Sequence, residues 1–336
     1  MLYRDFLGFR LSELGIGTYL GNPDRETSEG YKKVLLKGLE LGINVVDTAI
    51  VYRYMKSERD IGEVLATVGR EKFFVSTKGG YLPYDIEAGV DPREYFYETF
   101  VRKGLIEEED LTGHSLKVSF IDWCFHKSLE NLRTSYIDVY FLHNPEEQLQ
   151  YTDRDTFYKK IEECFEYLEH QRKAGKLRFY GLATWHGLRV PPHQRDYIDM
   201  SRILQIAHRV GGEDHGMRFV QLPYNLGMTE AFTLKNQFLN GREVSLLEFC
   251  KEAGIYVYTS ASIFQGRVVG RVPQWLRDFF GVEKDVHAAL QFVRSTPGVG
   301  TALVGMSKPH HLEENFKIFE REPVDTDRFL SLFERK

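Results

Sequence analysis

Asp47, Tyr52, Lys78 and His143 are the residues of this sequence whose types and positions could do chemistry together. Asp47 closes the apolar run that starts at Ile43, Lys78 the run from Phe73, and His143 the run from Tyr136; Tyr52 follows Asp47 by five residues. A carboxylate, a phenol, an ammonium and an imidazole gathered at one place suit acid–base work on a carbonyl. A tyrosine hydroxyl titrates near ~10, so exchanging a proton near neutral pH requires its anion to be favoured by roughly three units, or ~4 kcal/mol. An ammonium at ~4 Å supplies about that much at an effective dielectric of ~20. Lys78 is predicted to fill that role, Asp47 to hold and charge-balance the lysine, and His143 to hydrogen-bond the carbonyl oxygen beside Tyr52. Singly, each has a plainer reading as a helix cap, a solvated lysine or a satisfied polar group. Their joint occurrence in consecutive units favours chemistry.

Elements must exist that bring these positions to one rim. Short β-rich runs recur at Leu14–Leu20, Ile43–Thr48, Phe73–Lys78, Tyr136–His143, Leu177–Thr184, Arg218–Asn225, Ile255–Ser260 and Thr301–Met306. Between most of them lie segments with apolar residues at three-and-four spacing, such as Val34, Leu35, Leu39 or Ile161, Cys164, Phe165, Leu168. Repeated βα units predict parallel strands with crossover helices. A doubly wound sheet would carry GxGxxG after its first strand, but in Gly15-Ile16-Gly17-Thr18-Tyr19-Leu20-Gly21 the third glycine comes one residue late. The pattern therefore predicts a closed (β/α)8 TIM barrel, an α/β fold, preceded by a β-hairpin over 1–12 and forming a single domain over 1–336. Two connections, after the third and seventh strands, exceed plain βα loops. Gly79–Gly113 carries Tyr81, Tyr84, Tyr95, Phe96, Tyr97 and Phe100 with an acidic run from Glu107 to Asp110, and Ser262–Lys284 carries Trp275, Phe279 and Phe280. Both are predicted to lie on the active face.

Composition excludes several classes. With 44 Lys+Arg against 49 Asp+Glu the formal charge is −5, and the basic residues are scattered, which argues against nucleic acid as a partner. The start of the chain lacks a basic, apolar leader and no run approaches the length of a membrane span, so no membrane partner and a cytoplasmic location are expected. Cys124, Cys164 and Cys250 lie too far apart for a redox pair or zinc spacing and read as buried apolar residues. No metal site is expected.

At this point the sequence resembles a known family, the aldo-keto reductases. The shared residues run along nearly the whole chain. They are Leu14-Gly15-Ile16-Gly17-Thr18; Gly42 to Ala49 with Tyr52, Ser57-Glu58 and Ile61-Gly62; Ser76-Thr77-Lys78; Ser128-Leu129 with Leu132 to Asp138 leading into His143-Asn144-Pro145; Gly181; Gln221 with Pro223-Tyr224-Asn225; and Leu312 to Asn315. The resemblance implies a barrel that binds NADP(H), or alternatively NAD(H), without a Rossmann domain. Hydride would pass between C4 of the nicotinamide and the carbon of a small-molecule carbonyl, with Tyr52 as acid/base and Asp47, Lys78 and His143 as its partners. Gln221 would contact the carboxamide, and Glu314 and Asn315 would face the adenine end. The backbone after Ser260 and the helix start after Met306 would receive the phosphates. The implied cofactor contacts further include Gly17, Thr18, Asp47, Thr184, Ser262, Gly266, Ser307, Lys308 and His311.

The sequence also departs from the family pattern. Ala183-Thr184 stands where Ser-Asn is common, leaving a threonine hydroxyl for the amide. Ser260 stands where an aromatic ring often stacks, with Trp185 as a replacement candidate. Gly305 and His311 replace basic residues frequent at the 2′-phosphate, although Ser307 and Lys308 can still meet one. The main expectation is a carbonyl reductase or alcohol dehydrogenase. The alternative is a nucleotide-binding regulatory subunit of the same fold with little or no turnover.

Overall fold

The computed structural model describes residues 2–108 and 112–334. Glu109 and Asp110 of the acidic run lie outside the described residues. Eight parallel strands close into a barrel: β3 (Leu14–Gly17), β4 (Val45–Asp47), β5 (Phe74–Gly79), β6 (Ile137–His143), β7 (Leu177–Ala183), β8 (Met217–Pro223), β11 (Tyr256–Ser260) and β12 (Thr301–Gly305), with β12 pairing back onto β3. Each lies within one of the runs predicted from sequence or overlaps it to within a residue. The strands are buried on both faces, which is why Ile137–His143 reads as nearly unbroken apolar sequence.

Helices wrap the strands because their apolar residues recur on one face. Helix Arg25–Glu40 buries Tyr31, Val34, Leu35 and Gly38, and Asp24 caps its start by accepting from the Thr27 amide. Helix Leu246–Glu252 begins with a reciprocal pair in which the Ser245 hydroxyl accepts from the Glu248 amide and the Glu248 carboxylate from the Ser245 amide. Several matched motif residues are structural. The Ser57 hydroxyl donates to the Thr18 carbonyl at 2.8 Å, and buried Glu58 accepts from Thr77 Oγ1 at 2.6 Å and Asn131 Nδ2 at 2.8 Å, tying helix Lys56–Val68 to β5 and to helix Val118–Asn131.

The N-terminal hairpin, β1 (Tyr3–Phe6) and β2 (Phe9–Ser12), stoppers one end of the barrel. Phe6 meets Phe219 with ring centroids 5.4 Å apart and Phe9 meets Phe74 at 5.2 Å, below a barrel interior of Val45, Val139, Phe141, Phe219, Tyr258 and Leu303. A second hairpin, β9 (Lys235–Leu239) with β10 (Arg242–Ser245), lies between the short helix Glu230–Thr233 and helix Leu246–Glu252 and was not anticipated from the sequence. Its turn is Asn240-Gly241, both in the left-handed region, which is the dipeptide a tight hairpin demands.

Gly181 is required where β7 and β8 shift register, because a Cβ there would run into the Phe219 carbonyl oxygen. Gly181→Ala is expected to force the two strands apart and lower stability by about 1–3 kcal/mol. The check is a reduced urea midpoint with unchanged slope.

Candidate functional site

The strand ends converge as predicted from sequence. Asp47 is the last residue of β4, Lys78 the penultimate of β5 and His143 the last of β6, so the parallel ladder delivers all three to the mouth opposite the hairpin stopper. Lys78 Nζ donates to Asp47 Oδ2 at 2.7 Å and to the Thr48 carbonyl at 2.6 Å, fully buried. Asp47 Oδ1 accepts from Ser76 Oγ at 2.6 Å and Gln221 Nε2 at 2.8 Å. The β4 backbone continues past the strand, with the Thr48 amide on the Ser76 carbonyl, and a turn from the Ala49 carbonyl to the Tyr52 amide at 2.9 Å aims Tyr52 inward. The Tyr52 ring lies with its centroid 5.0 Å from Lys78 Nζ and 5.9 Å from that of His143.

The electrostatics differ from the sequence expectation in one respect. Tyr52 is not drawn toward neutrality: burial raises its hydroxyl well above the ordinary phenol range, and the charge on Asp47 and the neighbouring Tyr19 and Tyr81 push the same way. The reason is that Lys78 is committed to Asp47, so the pair presents little net positive charge to the phenol. Burial likewise lowers Lys78, opposed by Asp47. His143 is held well below the usual imidazole range by burial, with Lys78 and His114 adding, and is therefore neutral.

Two residues that sequence reasoning passed over, His114 and Gln148, and Tyr81 from the insertion it expected on the active face, complete this wall. His114 Nε2 bonds the His143 carbonyl at 2.8 Å, while the Gln148 amide reaches His114 Nδ1 at 3.0 Å; together they place the His114 proton on Nε2. Tyr81 stands edge-on to both rings at 5.0 Å. Its hydroxyl accepts from Asn144 Nδ2 at 2.9 Å and donates to Glu147 Oε1 at 3.2 Å. The aromatic content of the insertion was the available signal for Tyr81. The rest of that cluster turns away: Tyr95, Phe96 and Phe100 pack on one another, and Phe100 stands 4.8 Å from Trp123.

Burial brings His114 down to about 4 from an ordinary 6.5. The unfolded chain therefore binds a proton on this residue where the native one does not, and the stability it contributes is complete above about pH 6.5 and lost as pH falls toward 4. The unfolding free energy is expected to fall over that window by up to about 1.4 kcal/mol per pH unit for His114, with His143 acting in the same direction, and the fall should be shallower in His114→Gln when read from urea titrations at each pH.

A cleft of ≈ 800 Å³ opens above these groups. Of the residues assigned from sequence to a cofactor, Gly17, Thr18, Asp47, Thr184, Gln221, Ser260, Ser262, Gly266, Ser307 and His311 line it. Met306, Lys308, Glu314 and Asn315 do not. The Met306 side chain is buried in the strand–helix core, and Lys308 is exposed where helix Pro309–Phe316 starts. Glu314 is engaged by Lys284 at 2.8 Å and His287 at 3.0 Å, and Asn315 is buried on the helix's inner side. Gln221 is occupied by Asp47, whereas Thr184 Oγ1 is buried in the cleft wall without a hydrogen-bond partner among the described residues. Trp185 also lines the cleft. No group of three His, Cys, Asp or Glu suited to a metal ion occurs among the described residues.

A closed parallel barrel whose open mouth holds a phenol, a buried ammonium–carboxylate pair and a neutral imidazole, beside a long cleft over the last strands, defines a barrel protein equipped for proton transfer without a metal site among the described residues. The chain belongs to the aldo/keto reductase family, whose model matches residues 13–332. It is similar to the uncharacterized oxidoreductase YqkF of Bacillus subtilis, 23% identical over 314 residues covering 91% of this chain and 87% of the relative. Among solved structures it resembles the holo form of aldo-keto reductase AKR11C1 from Bacillus halodurans (TM-score 0.67, 19% identity, 99% of this chain and 96% of that one). It also resembles an aldo/keto reductase of Klebsiella pneumoniae in complex with NADP and acetate (TM-score 0.62, 18% identity, 97% and 91%). No helix among the described residues is long and apolar enough to cross a membrane.

Proposed function

We propose that this chain, as one barrel domain over 1–336, is an NADP(H)-dependent oxidoreductase that interconverts small-molecule carbonyl compounds and their alcohols. The residues present fit such a cofactor. Thr184 Oγ1 is an orphaned buried hydroxyl suited to an amide group. Helix Pro309–Phe316 starts without a side-chain cap, with Ser307 and His311 on the cleft, an end suited to phosphate. When bound, the nicotinamide supplies a hydride equivalent for the carbonyl carbon. Tyr52 keeps its proton through the neutral range and passes it to the carbonyl oxygen only as negative charge builds there. Neutral His143 has an N–H to orient that oxygen, and the Lys78–Asp47 pair fixes the floor beneath the phenol.

The observation that carries this reading is the clustering of Tyr52, His143, Asp47 and Lys78 at one mouth. A cluster built for proton delivery favours an enzyme over a regulatory subunit that only binds nucleotide. The test is fluorescence titration with NADPH and, separately, NADH, followed by NADPH consumption with a panel of aldehydes and ketones. Tight binding with no turnover of any carbonyl would overturn the enzymatic reading, and no binding would overturn the cofactor.

A further inference from the structure

The cleft has two halves of different character. One is built from the ends of β8, β11 and β12. The other, beside the Tyr52 ring, is walled by Tyr19, Tyr81, Glu147, Trp185 and His186. Among the described residues no lysine or arginine lines either half; the charged side chains that do are Asp47 and Glu147. Asp47 is balanced by Lys78, a fully buried ammonium behind the wall. What meets Glu147 is a phenol rather than a cation, the Tyr81 hydroxyl at 3.2 Å, which gives its single proton there while its oxygen accepts from Asn144.

Backbone donors are withdrawn as well. The amides of Trp185, His186 and Gly187 are successive N–H groups at the end of β7, the kind of array that cradles an anion. All three donate to one buried carboxylate oxygen, Oε1 of Glu146, at 2.7, 2.9 and 3.2 Å. The carbonyl half thus holds an unbalanced carboxylate, is lined by no lysine or arginine among the described residues, and has the three amides at the end of β7 committed to Glu146.

We propose that Glu147 determines substrate class: the site takes carbonyl compounds that are uncharged or positively charged, favouring those with a hydroxyl or ammonium donor, and rejects those bearing carboxylate or phosphate. A like charge brought beside Glu147 in the cleft gains no compensating lysine or arginine, so discrimination comes from repulsion as much as from attraction. This rests on the carbonyl-reductase reading.

The experiment compares 4-carboxybenzaldehyde with 4-carbamoylbenzaldehyde, near-isosteres that differ in charge, near neutral pH. The acid is expected to show kcat/KM at least about tenfold lower, the ratio equivalent to 1.4 kcal/mol. Glu147→Gln, which keeps an oxygen for Tyr81, should narrow the ratio to within about threefold, and Glu147→Lys should reverse it. Equal kcat/KM for the two aldehydes in the unaltered protein, or an unchanged ratio in Glu147→Gln, would overturn the proposal. A second readout is quenching of tryptophan fluorescence by the matching alcohols, 4-(hydroxymethyl)benzoate and 4-(hydroxymethyl)benzamide, with NADP+ present. Selective binding of the amide without turnover of any carbonyl would sink the enzymatic reading and sustain the charge selection; turnover without discrimination would do the reverse.

Discussion

Tyr52→Phe is expected to lower kcat/KM for carbonyl reduction by about 10²–10⁴-fold, the range that a positioned proton donor supplies. The ring is retained, so its edge contacts to Tyr19 at 5.0 Å and to His143 survive, and folding and nucleotide binding should hold. What is lost is a hydroxyl at the mouth whose proton is secure: burial and Asp47 raise it well above the ordinary phenol range. The same shift sets a direction for the pH profile. Reduction needs the protonated phenol and should be flat through neutrality, while alcohol oxidation needs the phenolate and should climb only at alkaline pH. NADPH consumption gives the first and NADP+ reduction the second. A Tyr52→Phe rate equal to that of the unaltered protein would remove the phenol from the mechanism.

The second large effect concerns what holds that phenol. Arg53, Tyr54 and Met55, which follow Tyr52 directly, have φ of 49°, 55° and 71°, three left-handed residues in succession and none of them glycine. Each such residue costs roughly 1–2 kcal/mol, so the turn persists only because its surroundings over-determine it. Arg53 does much of this. Its buried guanidinium donates from Nη1 to Asp60 Oδ2 at 2.6 Å, from Nη2 to Ser28 Oγ at 2.8 Å and from Nε to the Asn22 carbonyl at 2.8 Å, and lies 5.3 Å from the centre of the Tyr31 ring. Arg53→Ala strands the buried Asp60 carboxylate and is expected to destabilise the protein by about 3–5 kcal/mol, read as a lowered urea midpoint. In the folded fraction kcat should fall as Tyr52 loses its fixed aim. Arg53→Lys should recover only part of either loss, since a single ammonium cannot span three acceptors held by a planar fork.

How legible was this in the sequence? The eight strands were, because a strand buried on both faces advertises itself as a short apolar run, and Asp47, Lys78 and His143 stood out as polar residues closing such runs. Tyr52 was legible only through its family pattern and its distance from Asp47. The support behind His143 was not. Tyr81 and His114 meet through an isolated antiparallel bridge across the whole insertion, and Gln148 arrives from the turn after β6, so their partnership is set by tertiary packing and leaves no local periodicity. The strained turn was hidden for the opposite reason: Arg53-Tyr54-Met55 carries no glycine, so nothing local announces a left-handed path. The β9–β10 hairpin did carry its signal in Asn240-Gly241, but polar strands such as Lys235–Leu239 escape a search for barrel staves.

The aromatic hairpin at the base seals a barrel that side chains already fill. With Phe6 and Phe9 packed under an interior already filled by Val139, Phe141, Phe219 and Tyr258, the hairpin end offers no approach to Tyr52 and His143, and the mouth is where a small molecule meets them.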